Sequence, residues 1–273
     1  TMGWPNKESS DLKGFFPGHL LETGHDILFF WVARMVMMSR TLTGELPFKT
    51  VYLHAMVRDK YGRKMSKSLG NVIDPLEVIN GATLEELHNK LRNGNLPEKE
   101  IKKAIAGQKE EYPDGMPQCG ADGLRFGLLS YTVQGRDVNL DVQRVFGYRK
   151  FCNKLWNAAR FVISNTEGIN YTEISKNSEF TNSDKWILTS LQKTIDETRR
   201  AIEEYRFDRA ANAIYEFTWD KYCSWYLELS KVVLNNEETS VENKNDNPNT
   251  INDNILFFIN SPRLNINPIL HQK

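Results

Sequence analysis

Lys64, Met65, Ser66, Lys67 and Ser68 stand in a row after the basic run Arg58-Asp59-Lys60-Tyr61-Gly62-Arg63, and Leu69-Gly70-Asn71 follows them. The chemistry open to such a stretch is anion binding. Lysine ammoniums are compact point charges, serine hydroxyls and backbone N–H groups donate hydrogen bonds, and glycines let the backbone approach a ligand closely. A polyphosphate would use all of these together. The same composition also suits a solvated basic surface loop, because charge runs commonly face water. The residues by themselves leave both readings open.

The elements around the run favour a ligand. Val51, Leu53, Ala55 and Val57 alternate with Tyr52, His54, Met56 and Arg58. That period predicts a strand over 50–58, buried on at least one face and feeding the loop. A strand entering a phosphate loop belongs to α/β layouts in which ligands sit at the carboxyl ends of parallel strands. Thr23-Gly24-His25-Asp26 precedes an apolar run from Ile27 to Met38. This predicts a deeply buried helix with Asp26 as its N-cap. Arg34 interrupts the run, which is shorter than the roughly 20 residues a membrane span needs.

With 273 residues, no net formal charge and 40% hydrophobic residues, the chain has material for one large or two modest domains. Cys119, Cys152 and Cys223 are far apart with no Cys-x-x-Cys pair, which argues against zinc and against a disulfide scaffold. No signal-peptide pattern is visible, and Thr1-Met2-Gly3-Trp4-Pro5 reads as the middle of a domain.

Further along, Asp74-Pro75 opens a helix, 84–91 is amphipathic, 98–111 is a polar surface helix, and 121–133 is helical. Asp141 caps a long helix whose Val145, Tyr148, Cys152, Leu155, Trp156, Ala159, Val162 and Ile163 form one inward face. Arg144, Arg149, Lys150, Lys154 and Arg160 give that helix a cationic side, suited to nucleic-acid phosphates or to solvent. Helices starting near Asp184 and Asp208 complete an antiparallel bundle, with Ile187, Leu191, Ile195, Ile202, Ala211, Ile214, Phe217 and Leu229 inward. Eleven of the last 39 residues are Asn, so 235–273 is expected to be disordered.

The pentapeptide with Leu69-Gly70-Asn71 resembles the second signature of class I aminoacyl-tRNA synthetases. The segment Leu21 to Met35 resembles the valyl-tRNA synthetases, particularly the eukaryotic cytosolic type, and the similarity runs to about Leu234. The resemblance implies an α/β fold followed by an all-α one: a partial Rossmann-like nucleotide-binding fold and a truncated antiparallel helical bundle. Residues 1–143 would be the carboxyl-terminal part of the catalytic domain with its connecting module, 144–234 an anticodon-binding bundle, and 235–273 a tail. The implied reaction is ATP-dependent attachment of valine to its tRNA through a valyl-adenylate, in the cytoplasm. The implied partners are tRNA(Val), valine and ATP with its accompanying Mg²⁺, and no membrane.

Residue roles follow from the same resemblance. Lys64 and Lys67 would be catalytic, with Lys67 the main phosphate contact. Gly24, Asp26, Ala55, Met56, Val57, Lys64, Met65, Ser66, Lys67 and Ser68 would surround ATP or the adenylate. Ile27 and Trp31, one turn apart, would line the amino-acid pocket. Arg144, Arg149, Lys150 and Lys154 would meet tRNA. The family's first signature, His-x-Gly-His, does not occur: Gly18-His19 and Gly24-His25 do not fit it. The expectation is therefore an incomplete, inactive fragment of the enzyme, the alternatives being a non-catalytic tRNA-binding module or a decayed gene product.

Overall fold

The computed structural model describes residues 2–66, 71–133, 135–165 and 180–234. They fall into two units, one drawn from residues up to 72 together with 131–140, the other from 73–130 and the residues from 141 onward. The expected disordered tail, 235–273, lies outside the described residues.

In the first unit, α1 (Ser10–Phe15) leads into β1 (Gly18–Gly24), which pairs in parallel with β2 (Phe48–His54). Parallel neighbours cannot be joined by a tight turn, so the chain must travel back between them. It does so through a 3₁₀ turn at His25–Ile27, a π-helical turn at Leu28–Val32 and α2 (Ala33–Thr43). A second parallel pair joins β3 (Val57–Arg58) to β4 (Val138–Asn139).

Three expectations fail here. The strand foreseen over 50–58 breaks at Ala55-Met56 into β2 and β3, and Leu53 and Val57 on its apolar side are exposed. The helix foreseen as deeply buried contributes only Val32 to the core. Phe29 is 86% exposed, and Phe30, Met37, Met38 and Leu42 also face outward. A two-stranded pair has too little face to cover a crossover that is apolar almost all round. Asp26 makes no cap, because the 3₁₀ turn begins after Gly24 with no side-chain cap hydrogen bond.

The second unit is helical. It runs through α3 (Pro75–Asn80), α4 (Leu84–Arg92), α5 (Glu98–Glu111), α6 (Ala121–Ser130), α7 (Val142–Asn165), α8 (Asn182–Glu203) and α9 (Phe207–Glu216). A π-helical stretch, Phe217–Tyr226, then joins α9 to α10 (Leu227–Leu234). The caps follow local sequence. Asp74 accepts from the Leu76 N–H at 2.9 Å, Thr83 and Glu86 cap α4 reciprocally, and Asp141 accepts from the Gln143 N–H at 2.9 Å. Lys90 ties α4 to α3 through Asp74 at 2.6 Å and Glu77 at 2.8 Å. Val78, Leu87, Cys119, Val142 and Val145 are the most deeply buried side chains of this unit's first part.

Along α7, Val145 and Val162 point inward as expected, but Leu155, Trp156 and Ile163 are exposed and Phe151 and Ala158 are buried instead. Neighbours decide this: the Phe151 ring packs, tilted, 5.0 Å from Phe126 of α6 and 4.9 Å from Tyr215 of α9. Ile202 and Leu229 are also exposed rather than inward. For Leu229 the π-helical stretch is the cause, since its wider turn rotates the following residues and brings Leu227 and Ser230 inward.

Two distant ends of the bundle meet at Asp184, which is buried. Its Oδ2 accepts from the Thr181 N–H at 2.9 Å and hydroxyl at 2.6 Å, and its Oδ1 from the Tyr226 hydroxyl at 2.7 Å. Burial, with Asp184 adding to it, lifts the Tyr226 phenol above its usual range, so it remains a donor. Tyr226→Phe is therefore expected to lower unfolding stability by about 1–3 kcal/mol in a urea titration, the cost of leaving a buried acceptor short of a partner. A loss under about 0.5 kcal/mol would show that this bond does not hold the bundle together.

Candidate functional site

The carboxyl ends of β1 and β2 lie side by side, with Gly24 in register with His54. A Cβ on Gly24 would stand 2.7 Å from Asp26 Oδ1 and 3.2 Å from Met56 Sδ, so any side chain there would have to displace those two groups. Gly24, Asp26 and Met56 are thereby neighbours at the edge where open α/β sheets bind ligands. His54 Nε2 lies 3.6 Å from Glu22 Oε1, and its Nδ1 is 3.1 Å from Ala55 O.

Beyond Met56 the chain is fixed by β4. The Val138 N–H donates to Met56 O at 2.8 Å and the Leu140 N–H to Arg58 O at 2.9 Å. Asp137 accepts from Arg58 Nε and, at 3.4 Å, from the Met56 N–H. The Arg58 hydrogen bond outweighs desolvation and holds the Asp137 carboxyl below its usual range, with the Arg58 and His25 charges acting in the same direction.

The basic run starts here, and its one acid is its most buried member: the Asp59 side chain is 2% exposed. Asp59 Oδ1 accepts from the Tyr61 N–H at 3.1 Å and the Arg63 N–H at 2.8 Å. Its Oδ2 accepts from Arg63 Nε at 2.7 Å and Asn71 Nδ2 at 3.0 Å. The turn closes with the Gly62 N–H on Asp59 O at 2.9 Å, Gly62 taking φ 77°, a left-handed conformation that favours glycine. Asn71 extends the network, since its Nδ2 also donates to Lys64 O at 3.3 Å and its Oδ1 accepts from the Ser66 N–H at 3.0 Å. Burial alone would raise the Asp59 pKa. The hydrogen bonds from Asn71 and Arg63, with the Arg63 charge, more than reverse this and bring it below the ordinary value.

Lys64 is exposed at the foot of this turn, paired to Arg58 by an antiparallel bridge, while Met65 and Ser66 are half-buried. Lys67 and Ser68 lie outside the described residues. Ala55 and Met56 occupy the break between β2 and β3, and Val57 begins β3. Ile27 closes the 3₁₀ turn and Trp31 lies in the π-helical turn, so the regular one-turn spacing foreseen for the pair does not hold. Trp31 is 43% exposed.

On α7 the four residues foreseen at tRNA differ in their commitments. Lys154 Nζ stands 4.0 Å from the Trp219 ring centroid and donates to Trp219 O at 3.2 Å and Ser224 Oγ at 3.1 Å. Arg149 donates to the Gln118 backbone and side chain. Lys150 is exposed over the Phe146 ring, and Arg144 is exposed. Among the described residues no group of three His, Cys, Asp or Glu is placed to hold a metal ion, and no helix is long and apolar enough to cross a membrane.

Asp59, Asn71 and Asp137 were not foreseen as site residues. The available signal was a lone acid inside a cationic run, and an Asn directly after the loop's last glycine.

Residues 1–141 match the family described as tRNA synthetases class I (I, L, M and V), and residues 184–256 match the anticodon-binding domain of tRNA ligase. The second match passes Leu234, where the sequence resemblance was expected to stop. The chain is 55% identical over 245 residues to a valine–tRNA ligase of Caenorhabditis elegans, covering 88% of this chain and 23% of that protein. It is 53% identical over 236 residues to one of Homo sapiens, covering 86% of this chain and 19% of that protein. The chain thus spans about a fifth to a quarter of the length of these relatives. A Mycobacterium tuberculosis methionyl-tRNA synthetase in complex with methionyl-adenylate shares the fold, at TM-score 0.60 and 20% identity, over 92% of this chain and 42% of its own.

Because the folded-state pKa of Asp59 is depressed, its contribution is complete above the unfolded-state value and is lost only as pH falls through the lower folded value. Hydrogen-exchange protection of the Tyr61 and Arg63 amides should therefore persist from neutral pH to about pH 5 and disappear only in stronger acid. Disappearance between neutrality and about pH 5 would contradict the charged network.

Proposed function

The chain belongs to the class I tRNA synthetases, and on that premise we propose that it supplies the second-signature side of the ATP site, and part of the anticodon-binding bundle, of a valine–tRNA ligase. Residues 1–143 serve the nucleotide site and its connecting module, and 144–234 begin the bundle. The observation that carries this reading is the meeting of Gly24, Asp26 and Met56 at the parallel strand ends, directly before the loop organised by Asp59.

In the proposed reaction the valine carboxylate attacks the α-phosphorus of ATP. The bond to the β-phosphate oxygen breaks and pyrophosphate leaves. The 3′-terminal ribose hydroxyl of tRNA(Val) then takes the valyl group, releasing AMP. Lys64 and Lys67 offset the charge that grows on the departing pyrophosphate, which is where a positioned cation raises rate. Gly24 and Asp26 adjoin the ribose, Ala55, Met56 and Val57 the adenine, and Ile27 and Trp31 the valine side chain. Magnesium would arrive with ATP as part of the substrate and would offset phosphate charge. The exposed apolar surface of 29–42 is covered by other parts of the enzyme, and the reaction runs in the cytoplasm.

The test places residues 1–234 in the full-length C. elegans relative, in place of its matching segment, and measures valine-dependent ATP–pyrophosphate exchange. The graft should be active, and Lys67→Ala should slow exchange by about 10²-fold, the scale of losing one transition-state donor. Activity indifferent to Lys67→Ala, or dependent on another amino acid instead of valine, would overturn the reading.

The α7 geometry gives a second expectation for the same graft. Lys150→Ala should reduce the salt dependence of tRNA affinity by about one unit of log–log slope. Lys154→Ala should leave the slope alone and lower the melting temperature, because that ammonium is held by Trp219 and Ser224. The reverse pattern would show that Lys154 faces phosphate.

A further inference from the structure

We propose that Asp59 and Asn71 form a clamp that positions Lys64 to Ser66, the entry to the signature, for pyrophosphate departure, with Asp59 acting through its neighbours and not by touching the nucleotide; this rests on the synthetase reading above. A buried carboxylate is costly unless donors surround it. Among the described residues, the four donors to Asp59 all come from 61–71: two backbone amides, one guanidinium and one carboxamide. The burial requirement of one side chain therefore ties Tyr61, Arg63 and Asn71 to a single carboxylate.

Asn71 carries that constraint into the pentapeptide. Its amide nitrogen spans Asp59 Oδ2 and Lys64 O, and its amide oxygen receives the Ser66 N–H. The first and third residues of the pentapeptide are thus fixed by a residue beyond its far end. Asp59 also occupies Arg63, whose guanidinium carbon lies 5.1 Å from the Tyr61 ring centroid. That keeps the Arg63 charge engaged next to Lys64. Charge stabilisation of a leaving group depends on placement to within about 0.5 Å, so a clamp of this kind acts on kcat.

Two substitutions separate this role from simple support of the fold. Asp59→Asn keeps the shape but replaces an acceptor oxygen by a donor facing other donors, and Asn71→Ala removes the cross-link. In the graft described above, each should lower kcat of valine-dependent exchange by about ten-fold or more. The KM for valine should stay within about two-fold, since the valine side chain lies elsewhere. The double variant should be no slower than the slower single one, because the residues act as a unit. An unchanged kcat, additive losses, or a rise in KM for valine alone would overturn the proposal.

The unmodified chain of 273 residues provides an independent arm. Asp59→Asn should speed amide hydrogen exchange at Tyr61, Arg63 and Ser66 while α7 amides stay as they were. Unchanged exchange at those three amides would overturn the clamp itself. A graft with no exchange activity before any substitution would refute the synthetase reading and with it the catalytic half of the proposal, whereas the amide measurement decides the clamp without reference to activity.

Discussion

A carboxylate almost removed from solvent must be met by donors, and in this chain the demand falls on Asp59. Its position after β3 is set by the short β3–β4 pairing and by the Asp137–Arg58 contact behind it. From there its two oxygens fix the turn through Gly62, hold Arg63, and reach Asn71 across the loop. A basic run that would otherwise repel itself gains a centre of negative charge, and Lys64 is left exposed at its edge. Residues 59–66 and Asn71 are tied together from within, by the run's own acid, before any ligand is considered.

The parallel strands supply the other constraint. Parallel pairing forces a long crossover and leaves both carboxyl ends on one edge, which is how Gly24 and Asp26 come beside Met56 from a point thirty residues further on. The crossover that makes this possible remains largely uncovered, with apolar side chains from Phe29 to Leu42 facing outward. Contiguous apolar exposure of this kind marks contact surfaces. It agrees with a chain that spans a fifth to a quarter of its relatives' length.

Much of the helical part was legible because its signals are local. Asp74 before Pro75 and Asp141 each cap the helix they announce. The pentapeptide and its flanks were also readable, since a rare string of residue types carries its own chemistry. What was not legible depends on partners distant in sequence. β1 is a strand because β2 lies beside it; His19, Glu22 and Thr23 give it no clean alternation. The buried side of α7 turned towards Phe151 because Phe126 and Tyr215 approach there. Helical periodicity placed Leu229 inward, and the π-helical stretch before it rotated it out. Asp59 was overlooked because charge counting treats an acid in a basic run as a minor offset. Its burial and its reach to Asn71 are three-dimensional facts.

The central claim is that this clamped loop faces the phosphates of ATP, and an affinity label tests it most directly. An adenosine polyphosphate ending in a pyridoxal aldehyde places its reactive carbon just past the phosphates, where it forms a reducible imine with a nearby lysine. After borohydride reduction of the labelled graft and peptide mapping by mass spectrometry, the account predicts modification at Lys64 or Lys67 and protection by ATP with valine. Modification confined to lysines outside 58–71, or labelling that ATP does not prevent, would contradict it.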